Sequence, residues 1–103
     1  MNQATLCDAI NIRHVIRFYY SGDKAPGIRI VEPFMVAYNQ RNNLALSAWF
    51  LGGESELQEG QGWREYLLEE ISQIVVLPTL FSANRPKYKR DGGQNFHNVQ
   101  CAV

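Results

Sequence analysis

The chain has 103 residues, 46% of them hydrophobic, and its ten basic and ten acidic residues cancel. That size suits one domain with a real core, and the neutrality excludes the large basic excess of a non-specific nucleic-acid binder. The longest apolar run is too short to span a bilayer and no secretion signal is visible, so the sequence reads as cytoplasmic, with no membrane partner.

In chain order, residues 4–13 (ATLCDAINIR) place Leu6, Ala9, Ile10 and Arg13 at helical spacing, with Thr5 and Asp8 set as a capping box. One short helix is predicted there. HVIRFYYS, 14–21, alternates Ile16, Phe18 and Tyr20 against Val15, Arg17 and Tyr19, the period of a strand. GDKAPG is a turn by composition. A second strand runs from Ile28 to about Tyr38. Glu32-Pro33 interrupts it, and a proline there belongs at an edge or a bulge. NQRNN, 39–43, is a tight polar turn. LALSAWFL, 44–51, is a third strand with Leu44, Leu46, Ala48 and Phe50 on one side. GGESELQEGQG, 52–62, reads as a long acidic, glycine-rich loop. WREYLL is a strand, EEIS a single helical turn and QIVVLP a last buried strand segment. Beyond Pro78 the chain is polar, basic and turn-rich until HNVQCAV, which can pair at an edge.

These elements predict a mainly β fold: a small Sm-like or SH3-like barrel of about five bent antiparallel strands with one N-terminal helix. The whole of 1–103 is one domain, with the barrel strands within 14–78 and a basic tail over 79–103.

Cys7 and Cys101 stand near opposite ends, without CxxC or metal-ligand spacing. The reading favours two buried free thiols over a disulfide. His14 and His97 are the two histidines, and neither has partners at zinc-site spacing, so no metal or cofactor is expected. Glu69-Glu70 reads as a solvated turn rather than an acid/base pair, and LGGES and DGG lack phosphate-cradling spacing. Nothing sets a nucleophile beside a base, so no catalytic residue and no enzyme activity is expected. What remains is a set of arginines interleaved with rings, among them Arg17, Tyr20, Arg29, Trp49, Trp63 and Arg64. Rings stack on bases and the arginine fork fits phosphate or carboxylate, although a core this small also needs aromatic residues to fill it. The charges are unevenly placed: 13–29 and 85–90 are basic, whereas 54–70 carries six Glu against Arg64 alone.

AINIRHVIRFYY, RIVEP, NLALSAW and WREYLLEEISQIVVL, in that order and spacing, resemble the WYL domain, most closely its short stand-alone bacterial forms. Those forms also carry a GG loop ahead of GW and an RPxY segment, here Arg85-Pro86-Lys87-Tyr88. The resemblance covers roughly residues 6–103. It implies a helix packed on the barrel and a regulatory role, in transcription regulation or phage defence, that senses a nucleotide or single-stranded nucleic acid. By position, Arg29 matches the family's arginine ahead of Val-Glu-Pro, Tyr20 the ring closing the first strand, and Arg64 the first basic residue of an arginine-rich strand. The expected ligand-binding set is Arg29, Arg64, Tyr20, Glu32 and Arg17, with Glu32 near enough to hold an arginine such as Arg29 or Arg64.

This chain also departs from the pattern. The naming Trp-Tyr-Leu falls at Leu44-Ala45-Leu46, and two further basic positions are Leu67 and Glu70, where an anion would repel a phosphate. The chain carries no helix-turn-helix, so it is not by itself a complete transcription factor. The alternative is a protein-protein interaction or self-assembly module, forming a homo-oligomer or docking a partner protein through an open strand edge.

Overall fold

A computed structural model describes residues 2–22, 25–53 and 60–103. Most of the predicted acidic loop, 54–59, lies outside the described residues, as do Asp23 and Lys24 of the first turn.

Helix α1 spans Asn2–Ile12. It begins ahead of the predicted start, so Thr5 and Asp8 lie within it and do not cap it. The Asn2 side-chain amide instead donates to the Leu68 carbonyl at 3.2 Å, tying the start of the helix to a residue 66 positions on. Leu6, Ala9 and Ile10 form its buried stripe, one face of a 3.6-residue period. Arg13 then turns the chain in a left-handed conformation (φ 59°).

Six strands follow: β1 His14–Tyr20, β2 Gly27–Asn39, β3 Leu44–Gly53, β4 Gly62–Leu67, β5 Ile71–Leu80 and β6 Phe96–Ala102. They form one antiparallel sheet in the order β4-β3-β2-β1-β5, with β6 also paired to β2. The protein is therefore mainly β with one N-terminal helix, and its sixth strand is the HNVQCAV segment. A 3-10 turn at Leu68–Glu70 stands where a single helical turn was predicted.

The 13-residue β2 organises the sheet. Along one side it pairs with β3; along the other, β1 covers Gly27 to Val31 and β6 covers Met35 to Asn39. Pro33 falls between these two partners, where its missing N–H breaks no ladder bond. The register against β3 shifts between Pro33 and Met35. The bulge reverses the facing pattern, so Val31 and Val36, an odd spacing apart, both enter the same core.

That core lies on the helix side of the sheet, where Leu6, Ala9 and Ile10 of α1 join Ile16, Phe18, Val31, Leu46 and Phe50 in one buried cluster. A second core lies on the opposite side. There Val15, Phe34, Trp49, Trp63, Leu77 and Tyr88 pack with Phe81, and the chain from 81 to 95, called the strap below, runs across them. The predicted buried strand QIVVLP is a correction: Val75 is 44% and Val76 40% exposed. β5 is an end strand of the sheet, so nothing packs over much of it.

The cysteines are also a correction. Cys7 of α1 and Cys101 of β6 form a disulfide, with Cα atoms 5.7 Å apart. Distance along the chain misled the reading, because β6 returns to β2 in contact with α1. Closing a loop across 94 residues removes enough unfolded-state entropy to stabilise a domain by about 4–5 kcal/mol in the chain-entropy model.

Candidate functional site

The alternation of each strand sorts the five predicted ligand residues between the two sides. Tyr20, Arg29 and Arg64 go to one end of the helix side. Arg29 pairs across the ladder with Phe18, and its guanidinium stands 5.9 Å from the Tyr20 ring. Tyr20 meets Tyr66 edge-on at 4.9 Å, and its hydroxyl accepts the Leu67 N–H at 3.0 Å. Arg64, paired with Ala48, lies over Phe50 at 5.2 Å. Three of the five residues thus take part in two cation–ring pairs on that side, in which the ring's negative face attracts the guanidinium.

Their exposure differs. Arg29 is 1% and Tyr20 4% exposed. The Arg29 fork donates to the carbonyls of Ala25 (2.7 Å) and Ile28 (3.4 Å), which shapes the chain entering β2. Arg64, on the end strand β4, is half-buried and donates to the Trp63 and Gly60 carbonyls at 2.9 and 3.1 Å.

Glu32 and Arg17 are on the strap side. Glu32 is 7% exposed and binds neither Arg29 nor Arg64. Its carboxylate accepts two bonds from Arg85, at 2.8 and 2.9 Å. The paired bonds hold the Arg85 proton more firmly than in free arginine, against the opposing effect of burial. Arg85 also lies 4.7 Å from the Trp49 ring. Arg17 is exposed on β1, opposite Val75 of β5 and Ile30 of β2.

Sequence reasoning missed the residues that fix the strap. Besides Arg85, the Trp63 indole N–H donates to the Pro86 carbonyl at 2.7 Å, and the Tyr88 hydroxyl donates to the Val103 carbonyl at 3.1 Å. Tyr88 stacks on Trp63 (5.9 Å, 23°), and Trp63 meets Trp49 edge-on at 5.5 Å. The signal was the Arg-Pro-Lys-Tyr segment itself, a fork and a ring either side of a stiff proline. At the opposite end, Glu70 accepts the Ser21 hydroxyl at 2.6 Å, so the anion among the family's basic positions closes a turn.

A family model, WYL domain, matches residues 2–76. The chain belongs to the WYL domain family. No curated protein and no solved structure matches it. WYL domains are regulatory, ligand-sensing domains, and the matched stretch of this one ends before the strap. Among the described residues, no group of three or more His, Cys, Asp or Glu side chains stands close enough to hold a metal, and no helix is long and apolar enough to cross a membrane.

Proposed function

We propose that this WYL domain is a non-enzymatic regulatory module that senses a nucleotide or a short single-stranded nucleic acid. One observation carries the reading. β4 is an end strand on which Trp63 and Arg64 point to opposite sides, both half-buried, so one sheet edge offers a ring and a guanidinium fork together. A ring suits base stacking and a fork suits phosphate. Arg29 and Tyr20 serve this edge from behind, by fixing the β1–β2 end on which Tyr66 and β4 rest, and are positioning residues.

The test is a titration of the full chain with labelled single-stranded DNA and RNA of about ten nucleotides, a length within the range such sites cover. Saturable binding that weakens as salt rises is expected, with about a tenfold loss in Arg64→Ala, the scale of one charge-assisted contact. Absence of saturable binding at low salt overturns the reading.

A second reading, self-assembly without a nucleic-acid ligand, is favoured by β5. That end strand exposes Val75, Val76 and Leu80, the last by 67%, and an uncovered apolar edge invites another strand. It requires a mass that rises with concentration in light scattering and falls back to the monomer in Val76→Lys.

A further inference from the structure

Between the strap and the sheet lies a hollow of about 510 Å³, within the size range of small-ligand sites. Its walls carry the rings of Trp63, Tyr88 and Phe96, and Lys87 and Lys89 stand beside them. It shares Ser47, Trp63, Asn95 and Phe96 with a second hollow of about 330 Å³, which adds Arg41, Arg64 and Glu65. The two hollows together are lined by four basic residues and by Glu65, in a chain whose net charge is zero. That carboxylate is already engaged, accepting the Asn39 side-chain amide at 2.7 Å.

The wall is held from several directions. The Arg85 bonds to Glu32 and the Trp63 bond to Pro86 secure the segment just ahead of the lysines. Lys87 itself adopts a left-handed conformation (φ 64°), which turns the chain between the anchored Pro86 carbonyl and the Tyr88 ring. Behind them Gly92 has φ 92°, and a Cβ there would come within 2.5 Å of the Phe96 carbonyl oxygen, so the turn that returns the chain to β6 requires glycine.

We propose that this hollow seats the phosphorylated end of the ligand: a nucleoside monophosphate, or the terminal nucleotide of a short strand, with its base against the rings and its phosphate on Lys87 and Lys89. The placement rests on the nucleotide reading above and adds the strap to it. Lysine ammonium groups serve phosphate as mobile point charges, and rings accept any base because every base has a π-face. The strap, which lies outside the matched family region, then supplies the phosphate contact.

The experiment is a set of NMR titrations of the isotope-labelled full chain with adenosine monophosphate, uridine monophosphate, the corresponding nucleosides and inorganic phosphate, alongside the labelled oligonucleotides. The monophosphates are expected to bind about tenfold tighter than their nucleosides, the scale of one charge-assisted contact, and to shift amide signals within 87–96. Lys87→Ala/Lys89→Ala is expected to lose that tenfold preference, and Phe96→Ala to weaken nucleoside and monophosphate alike. Thermal melts establish that each variant compared is folded before its binding is read. Equal binding of nucleoside and monophosphate overturns the proposal, as does an unchanged preference in the folded double-lysine variant. Inorganic phosphate binding as tightly as the monophosphates overturns the part assigned to the rings. If oligonucleotides bind in an Arg64-dependent way while the lysine variant is unaffected, this placement falls and the nucleotide reading stands. If no nucleotide or oligonucleotide binds, both fall.

Discussion

The two sides of the sheet are covered by different means. On the helix side, α1 inserts Leu6, Ala9 and Ile10 into a core of aliphatic and aromatic side chains, and a disulfide to β6 fixes the lid covalently. On the strap side the cover is irregular chain, held by a Glu32–Arg85 pair, an indole bond and a phenol bond over a largely aromatic core. A helix covers a surface continuously, because its side chains lie on one stripe with its backbone bonds satisfied internally. A strap touches only where it is anchored and leaves hollows between anchors. The difference leaves the hollow of about 510 Å³ on the strap side, whereas the helix side carries the continuous core and the disulfide.

The largest expected effect breaks the helix-side lid. Cys7→Ser should lower unfolding free energy by about 4–5 kcal/mol, read from urea denaturation, with native tryptophan fluorescence little changed because Trp49 and Trp63 lie on the other side. The next breaks the strap. Glu32→Ala or Arg85→Ala should each cost about 2–3 kcal/mol, the scale of hydrogen bonds to charged groups and of a buried charge left alone. The two together should cost less than their sum, and both should red-shift tryptophan emission as the ring cluster opens.

A smaller effect sharpens the contrast through pH. Burial raises the Tyr88 phenol above its ordinary 10.0, with the charge of Arg90 working the other way. The unfolded phenol therefore ionises first as pH climbs. The stability Tyr88 contributes is intact below about pH 10 and is lost as pH rises through the higher folded value. Tyr88→Phe should flatten that alkaline decline in a series of thermal melts, at a cost near neutrality of about 1 kcal/mol for its hydrogen bonds.

Much of the fold was legible. The alternation of Ile16, Phe18 and Tyr20 and of Leu44, Leu46, Ala48 and Phe50 set each group on one side of its strand, and both groups are found in or against the helix-side core. The site was less so, and the reason is parity. Arg29 and Glu32 are three residues apart on one strand, as are Arg17 and Tyr20, so neither pair shares a side. A five-residue set containing both pairs had to divide. The partner of Glu32 lies 53 residues on, and no local period points to it. The disulfide was hidden in the same way, since pairing of β6 with β2 is a property of the tertiary path alone.

The bridge between Cys7 and Cys101 also has a topological meaning. It turns every residue from 7 to 101 into a closed covalent ring, crossed by the sheet's hydrogen bonds. A ring has no privileged first residue. The exposed turn at 40–43, between β2 and β3, is therefore as natural a place for chain ends as the present termini. A single tryptic cut after Arg41 would leave one molecule rather than two, parting into fragments only when a thiol reductant opens the ring.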